Sequence, residues 1–224
     1  MKFCRQSARF KTGFLPRVGG IALACCGAFY APSGCAAPPL AEAAWRVVIT
    51  GPHHPQDAQT QPIPGAKETM FAAARSATVA EEKPFPLLSQ EEFGALGVDW
   101  AAFRARSATA ASAELARLKP ELIRDRNAVI ECAILRCKRP VDDLTAAVLA
   151  PDFLQRFTPL FGRKMLLALP DRHTVFLFPR LASRYQEYAG RVLAVYRQSE
   201  CPVSREVFEL SAEGLRAIGA YAEP

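Results

Sequence analysis

The sequence predicts an α+β domain with the element order β-α-β-β-α-β, and three observations carry that prediction. Residues 127–137 are rich in β-branched and apolar residues on both faces, and 164–169 and 174–178 are two short apolar runs joined by a turn. Two longer stretches, 142–161 and 181–198, repeat apolar residues at helical spacing. Residues 205–210 then read as a half-buried strand.

Taken in order, the chain opens on a targeting segment, residues 1–36. Its basic start holds Lys2, Arg5, Arg9, Lys11 and Arg17 and no acid. Residues 18–31 are uncharged, small and apolar, and Pro32-Ser-Gly-Cys-Ala-Ala-Pro-Pro39 follows. A positive start, an apolar middle and a small-residue exit make an export signal. The apolar run falls short of the ~20 residues of a membrane span. Ser33-Gly34-Cys35 resembles the end of a lipoprotein box, with Pro32 where the pattern has Leu. Acylation of Cys35, which would attach the N-terminus to a membrane, and ordinary cleavage after Ala36 or Ala43 both stay open.

Residues 37–85 read as a Pro/Ala-rich flexible linker. Residues 45–50 suit a short strand, 51–65 carry four prolines and little hydrophobicity, and Ala-rich 66–83 suggests a weak helix. His53 and His54 read as solvated linker residues, since the chain has only one other histidine.

The domain proper is expected over residues 86–224, opened by two short helices. Ser89 and Glu92 form a capping box, and Gly97 ends the first helix. Asp99 starts a second, which runs to about Leu118 before Pro120, with Phe103 and Leu115 as apolar anchors. Residues 142–161 form two helical pieces, with Pro151 in the first turn of the second. Phe153, Leu154, Phe157, Leu160 and Phe161 make that piece's apolar stripe. Pro170-Asp-Arg-His173 joins two strands as a tight hairpin turn. In 181–198, Leu181, Tyr185, Tyr188, Ala189, Val192 and Tyr196 face inward, the tyrosines as core rather than as a ligand groove. Gly214 turns the chain into a last strand over 215–220. Phe157, Leu167, Phe176, Leu177 and Val192 are the expected core.

This order is that of the ferredoxin-like, split β-α-β arrangement, with the helices on one face. Its first and fourth strands lie side by side. That would bring Cys137, at the end of the first, to Cys201, at the start of the fourth, within reach of a disulfide, while Cys132 stays in the core. Two unpaired thiols are the alternative. The other four cysteines lie in the leader, and no C-x-x-C occurs in the body, which argues against zinc ribbons and thioredoxin-type sites.

The net charge is +6. Five of the 28 Lys and Arg, and none of the 22 Asp and Glu, fall in the first 41 residues. The body is therefore one charge from neutral, with both signs interspersed, and nucleic-acid binding is not expected. Nucleophile-elbow, phosphate-loop, dinucleotide and H-E-x-x-H motifs are all absent, and no cofactor or metal is implied. Titratable residues gather in one motif only, the hairpin. Asp171 and His173 are the catalytic candidates there, as an acid/base pair, and Arg172 and Arg180 the anion-binding ones. The structural alternative makes Asp171 a turn former, His173 a strand start, and Arg172 the partner of an acid on a neighbouring loop.

Leu149-Ala-Pro-Asp-Phe-Leu154, Gly162-Arg-Lys-Met-Leu-Leu-Ala-Leu-Pro-Asp-Arg-His173 and Pro202-Val-Ser204 resemble the C-terminal domain of the YtpQ-like bacterial family of unknown function. The upstream helix pair with Leu96-Gly-Val-Asp99 is also similar, so the resemblance spans residues 85–221. The family hairpin usually reads Pro-Ser-Arg-Asp, so Pro170 and Arg172 match and Asp171 and His173 do not. The family's usual N-terminal domain is replaced here by a signal and linker, and its members are typically not exported. The resemblance implies no activity or substrate. It does imply that Arg172 makes a tertiary ion pair or hydrogen bond. The expected function is an exported, non-catalytic binding or interaction module, periplasmic, envelope-bound or secreted, meeting a protein or a small anionic ligand. The alternative is a hydrolase or transferase with its site at Asp171, Arg172 and His173.

Overall fold

The computed structural model describes residues 45–76, 86–137, 143–181 and 183–222. The leader with Cys35 lies outside them. Strands β1 (Trp45–Thr50), β2 (Thr60–Pro62) and β3 (Met70–Arg75) form an antiparallel sheet in the order β1-β3-β2. Helices α1 (Gln90–Ala95) and α2 (Trp100–Arg117) follow. A six-stranded sheet comprises β4 (Glu121–Arg124), β5 (Ile130–Arg136), β6 (Met165–Asp171), β7 (Thr174–Pro179), β8 (Glu206–Ser211) and β9 (Gly214–Ala220). Its order is β4-β5-β7-β6-β8-β9, and every pair is antiparallel. Helices α3 (Leu144–Val148) and α4 (Phe153–Phe161) connect β5 to β6. A 3₁₀ turn (Ser183–Gln186) and α5 (Ala189–Gln198) connect β7 to β8.

The chain is α+β, but it departs from the expected sheet order. Strands β5 and β8 are not neighbours, because β7 and β6 lie between them. The place expected for β8 is taken by β4, which the sequence reading missed. It pairs with β5 through a short local turn at Asp125–Val129, whose closure costs little entropy. The fourth strand therefore adds beside β6. The same choice moves a helix. The β5-to-β6 crossover steps past β7, and the β7-to-β8 crossover, starting on a strand of opposite direction, steps the same way past β6. Right-handed crossovers then put the two connections on opposite faces. The helices are accordingly not confined to one face. Leu135, Leu167, Val175, Leu177 and Phe208 point to the side of α2–α4, while Ile134, Leu166, Phe176, Phe178 and Val207 point to the side of α5.

The disulfide expectation falls with the sheet order. Cys137 and Cys201 are not joined, and the β6–β7 hairpin stands between their strands. Three strand spacings of ~4.8 Å come to about twice the reach of a disulfide.

The linker expectation is also corrected over residues 45–75. Trp45, Val47, Ile49, Ile63, Phe71 and Ala73 belong to the same core as α2, α4 and the large sheet. The strand at 45–50 is present as expected, but 70–75 is strand β3, not helix. Ala72 and Ala74 face one buried layer and Phe71 and Ala73 the other, so tertiary packing overrides alanine's helix propensity.

Of the other local readings, some match the structure and some do not. Ser89 and Glu92 form the capping box, and the Asp99 carboxylate caps α2 by accepting from Ala102 N (2.7 Å). The second helix is not short, since its alanines carry it through Arg117. The Arg156 guanidinium donates to the carbonyls of Leu115 and Leu118, which satisfies the C-terminal end of α2. Phe157, Leu167, Phe176, Leu177 and Val192 are all buried. The helix expected over 181–198 is regular only from Ala189, and Leu181 is 94% exposed. Tyr185 and Tyr188 are half-buried and reach Tyr221 and Phe178 as ring partners.

Candidate functional site

The hairpin sits at one end of the large sheet. Pro170, which has no N–H, breaks the β6–β7 register between Ala168 and Asp171, and Asp171 pairs with Thr174 across a two-residue turn. The carbonyls freed by the break accept elsewhere. Pro170 O takes Val203 N (2.9 Å) and Leu169 O takes Ser204 N (3.0 Å). Within the turn, Asp171 Oδ1 accepts from His173 N (3.0 Å). The Arg172 carbonyl accepts from Leu144 N (2.8 Å), and the His173 carbonyl from Cys137 N (3.2 Å).

The structure adds a residue that the sequence reading did not single out, Asp143. The residue is buried, and its carboxylate lies 3.4 Å from Arg172 Nη1. Its other oxygen accepts from Thr145 N (2.8 Å) and Thr145 Oγ1 (2.5 Å), which makes it the N-cap of α3. Thr145 Oγ1 in turn accepts from Ile49 N of β1 (3.1 Å). One carboxylate thus ties the hairpin, α3 and the small sheet together. Burial pushes its pKa above the ordinary range, opposed first by the Arg172 charge and then by the Thr145 bonds. The available signal was the Asp142-Asp143 pair just ahead of an apolar helical run.

Arg172 therefore makes the tertiary ion pair that the family resemblance implies. Arg180 does not join it. It follows the far end of β7, about 20 Å of strand from the turn, and there it pairs with Glu209, which Arg216 also holds (2.8 Å). The two guanidinium groups pull the Glu209 pKa below its usual range.

The small sheet is fastened near the start of β8 by another buried polar group. Thr69 Oγ1 bonds Ser204 Oγ (2.8 Å) and donates to Glu206, whose carboxylate also accepts from Lys67 N (2.6 Å). His54 Nδ1 lies 2.9 Å from the Gly51 carbonyl. Among the described residues no three His, Cys, Asp or Glu side chains converge as a metal site requires. No described helix is long and apolar enough to cross a membrane.

Chemically, the hairpin is a brace. The Asp143 carboxylate already receives three donors, and the Thr145 hydroxyl is engaged on both sides. Among the described residues, open depressions lie elsewhere. One of about 460 Å³ runs along α2, and one of about 330 Å³ lies between Tyr185 and the end of β9. Compared with protein-family models, curated proteins and solved structures, the chain finds no match.

Proposed function

We propose that the chain is an exported, non-catalytic binding or interaction module of the cell envelope, of the YtpQ-like type, meeting a protein or a small anionic ligand. The supporting observation is that Asp171 and Arg172 of the hairpin, with Asp143 and Thr145 beside it, are engaged in holding the fold. Asp143, Thr145, Asp171 and Arg172 bond one another, the turn backbone and Ile49, an arrangement that suits a rigid scaffold better than a nucleophile and its base. The basic leader and the apolar run after it support export.

The test has two parts. Mass spectrometry of the protein from its native envelope fraction is expected to find an N-terminus within residues 35–44, and intact Met1 in cytoplasmic protein overturns export. Affinity purification of that mature form is expected to bring down a specific partner. Turnover of simple esters or phosphoesters that is lost in His173→Ala overturns the non-catalytic reading in favour of a hydrolase or transferase.

A further inference from the structure

Three cationic residues from three strands meet at the end of the large sheet away from the hairpin, on the face that α5 covers. Met165 pairs with Pro179, and the next step of that register sets Lys164 opposite Arg180. Both fall on the side of Leu166 and Phe178, because alternate residues of a strand share a face. Like charges directly opposite on neighbouring strands are unfavourable, so this pairing does not serve the fold by itself. Arg216 of β9 pairs with Glu209 of β8, and the buried Glu209 carboxylate is held by both arginines. One guanidinium would neutralise that carboxylate, and the structure supplies two.

The way the arginines are held leaves part of each exposed. Arg180 donates through Nε to Glu209 Oε2, and Arg216 through Nε (3.2 Å) and Nη2 (2.8 Å) to Oε1. Their side chains are 47% and 58% exposed, so each planar fork is anchored from below and presents its outer N–H groups to solvent. Two forks fixed on the two oxygens of one carboxylate are no farther apart than a single oxyanion spans. At the β8–β9 turn the exposed Glu213 carboxylate accepts from the Ser211 hydroxyl, which lowers its pKa, and the charges of Lys164 and Arg216 add to that shift.

The donor set selects the anion. A carboxylate has two oxygens and one charge, enough for one fork. A phosphoryl group has three terminal oxygens and close to two charges, enough for two forks and the ammonium of Lys164. We propose that this corner binds a phosphate or phosphomonoester group, with Arg180, Arg216 and Lys164 as its donors and Glu209 as the buried group that positions both forks. The inference rests on the reading of the chain as a binding module and names the anion and its place.

Isothermal titration calorimetry of the purified protein in phosphate-free buffer tests it, with inorganic phosphate and glycerol phosphate as probes and acetate as the control. One site per chain is expected, with a dissociation constant below about 1 mM for the phosphates and no binding of acetate. Lys164→Gln and Arg216→Gln are each expected to weaken binding about tenfold. Lys164→Gln leaves Glu209 and both arginines in place, so it should do this at an unchanged thermal midpoint. Cosedimentation with phosphatidic acid vesicles but not with phosphatidylcholine assigns the group to a lipid, and binding of the soluble probes alone assigns it to a soluble ligand; both uphold the site. Absence of binding at millimolar phosphate overturns the proposal, as does equal binding of acetate or undiminished binding by the two variants. Such a failure leaves partner capture by the module intact, whereas turnover lost in His173→Ala overturns the module reading without touching this corner.

Discussion

Asp143 is the residue whose loss should be felt in most places at once. Asp143→Ala removes the acceptor for Thr145 and the countercharge of Arg172, and breaking a buried pair from one side costs roughly 3–5 kcal/mol. Asp143→Asn keeps an oxygen for Thr145 and should cost less. Urea midpoints of the two variants check that order. The two buried carboxylates should also respond to pH with opposite signs. Asp143 has a folded pKa above its ordinary value of 3.8, so the native state holds the proton more tightly than the unfolded chain. Its stabilising contribution is full below that value and is lost as pH rises through the raised one. Glu209 has a folded pKa below its ordinary 4.5, so its contribution is present above that value and is lost as pH falls through the lowered one. Measured against pH, Glu209→Gln should flatten the acid limb of the stability curve, and Asp143→Asn should remove the decline above it.

At the scale of elements, the central strand and the fastening of the small sheet make distinct predictions. Leu167 on β6 is fully buried and touches the core under α4, so Leu167→Ala should cost about 2–5 kcal/mol as lost transfer energy plus a cavity. An unchanged thermal midpoint would refute the central position of β6. Gly51 and Gly65 mark where the segment read as a linker presses on the large sheet. A Cβ on Gly51 would lie 2.1 Å from the Val203 carbonyl oxygen, and one on Gly65 would lie 2.5 Å from that of Ala217. Gly65 also has a φ of +76°, which side-chain-bearing residues rarely adopt. Alanine at either position must push one sheet off the other and should cost on the order of 1–3 kcal/mol, read as a lowered thermal midpoint. Short elements were legible because capping and period-2 or helical spacing are local properties. Strand β4 was missed because four residues, Glu121 to Arg124, carry too little pattern to outweigh a loop.

At the scale of the whole molecule, residues 45–75 belong to the domain they precede. A fragment starting at Trp45 should fold cooperatively. One starting at Pro86 lacks Trp45, Val47, Ile49, Ile63 and Phe71 and leaves Phe103, the ring partner of Trp45, uncovered. Circular dichroism melts should show a single transition for the longer fragment and none for the shorter. A cooperative melt of the shorter one would return the small sheet to the status of an appendage.

The α+β class, most strands of the large sheet, the caps at Ser89 and Asp99, the burial of Phe157, Leu167, Phe176, Leu177 and Val192, and the turn at Arg172 are legible in the residue pattern alone. Each of these depends on neighbours within about one helical turn or strand, where pattern and propensity act directly. The order of the strands, the face each helix covers, the membership of residues 45–75 in the core, the separation of Cys137 from Cys201, and Asp143 as the partner of Arg172 emerge only from long-range packing. Those outcomes depend on which edge of β5 is already filled and on which distant backbone groups still need a partner. Such competition between segments far apart in the chain leaves no periodic trace in the residues themselves.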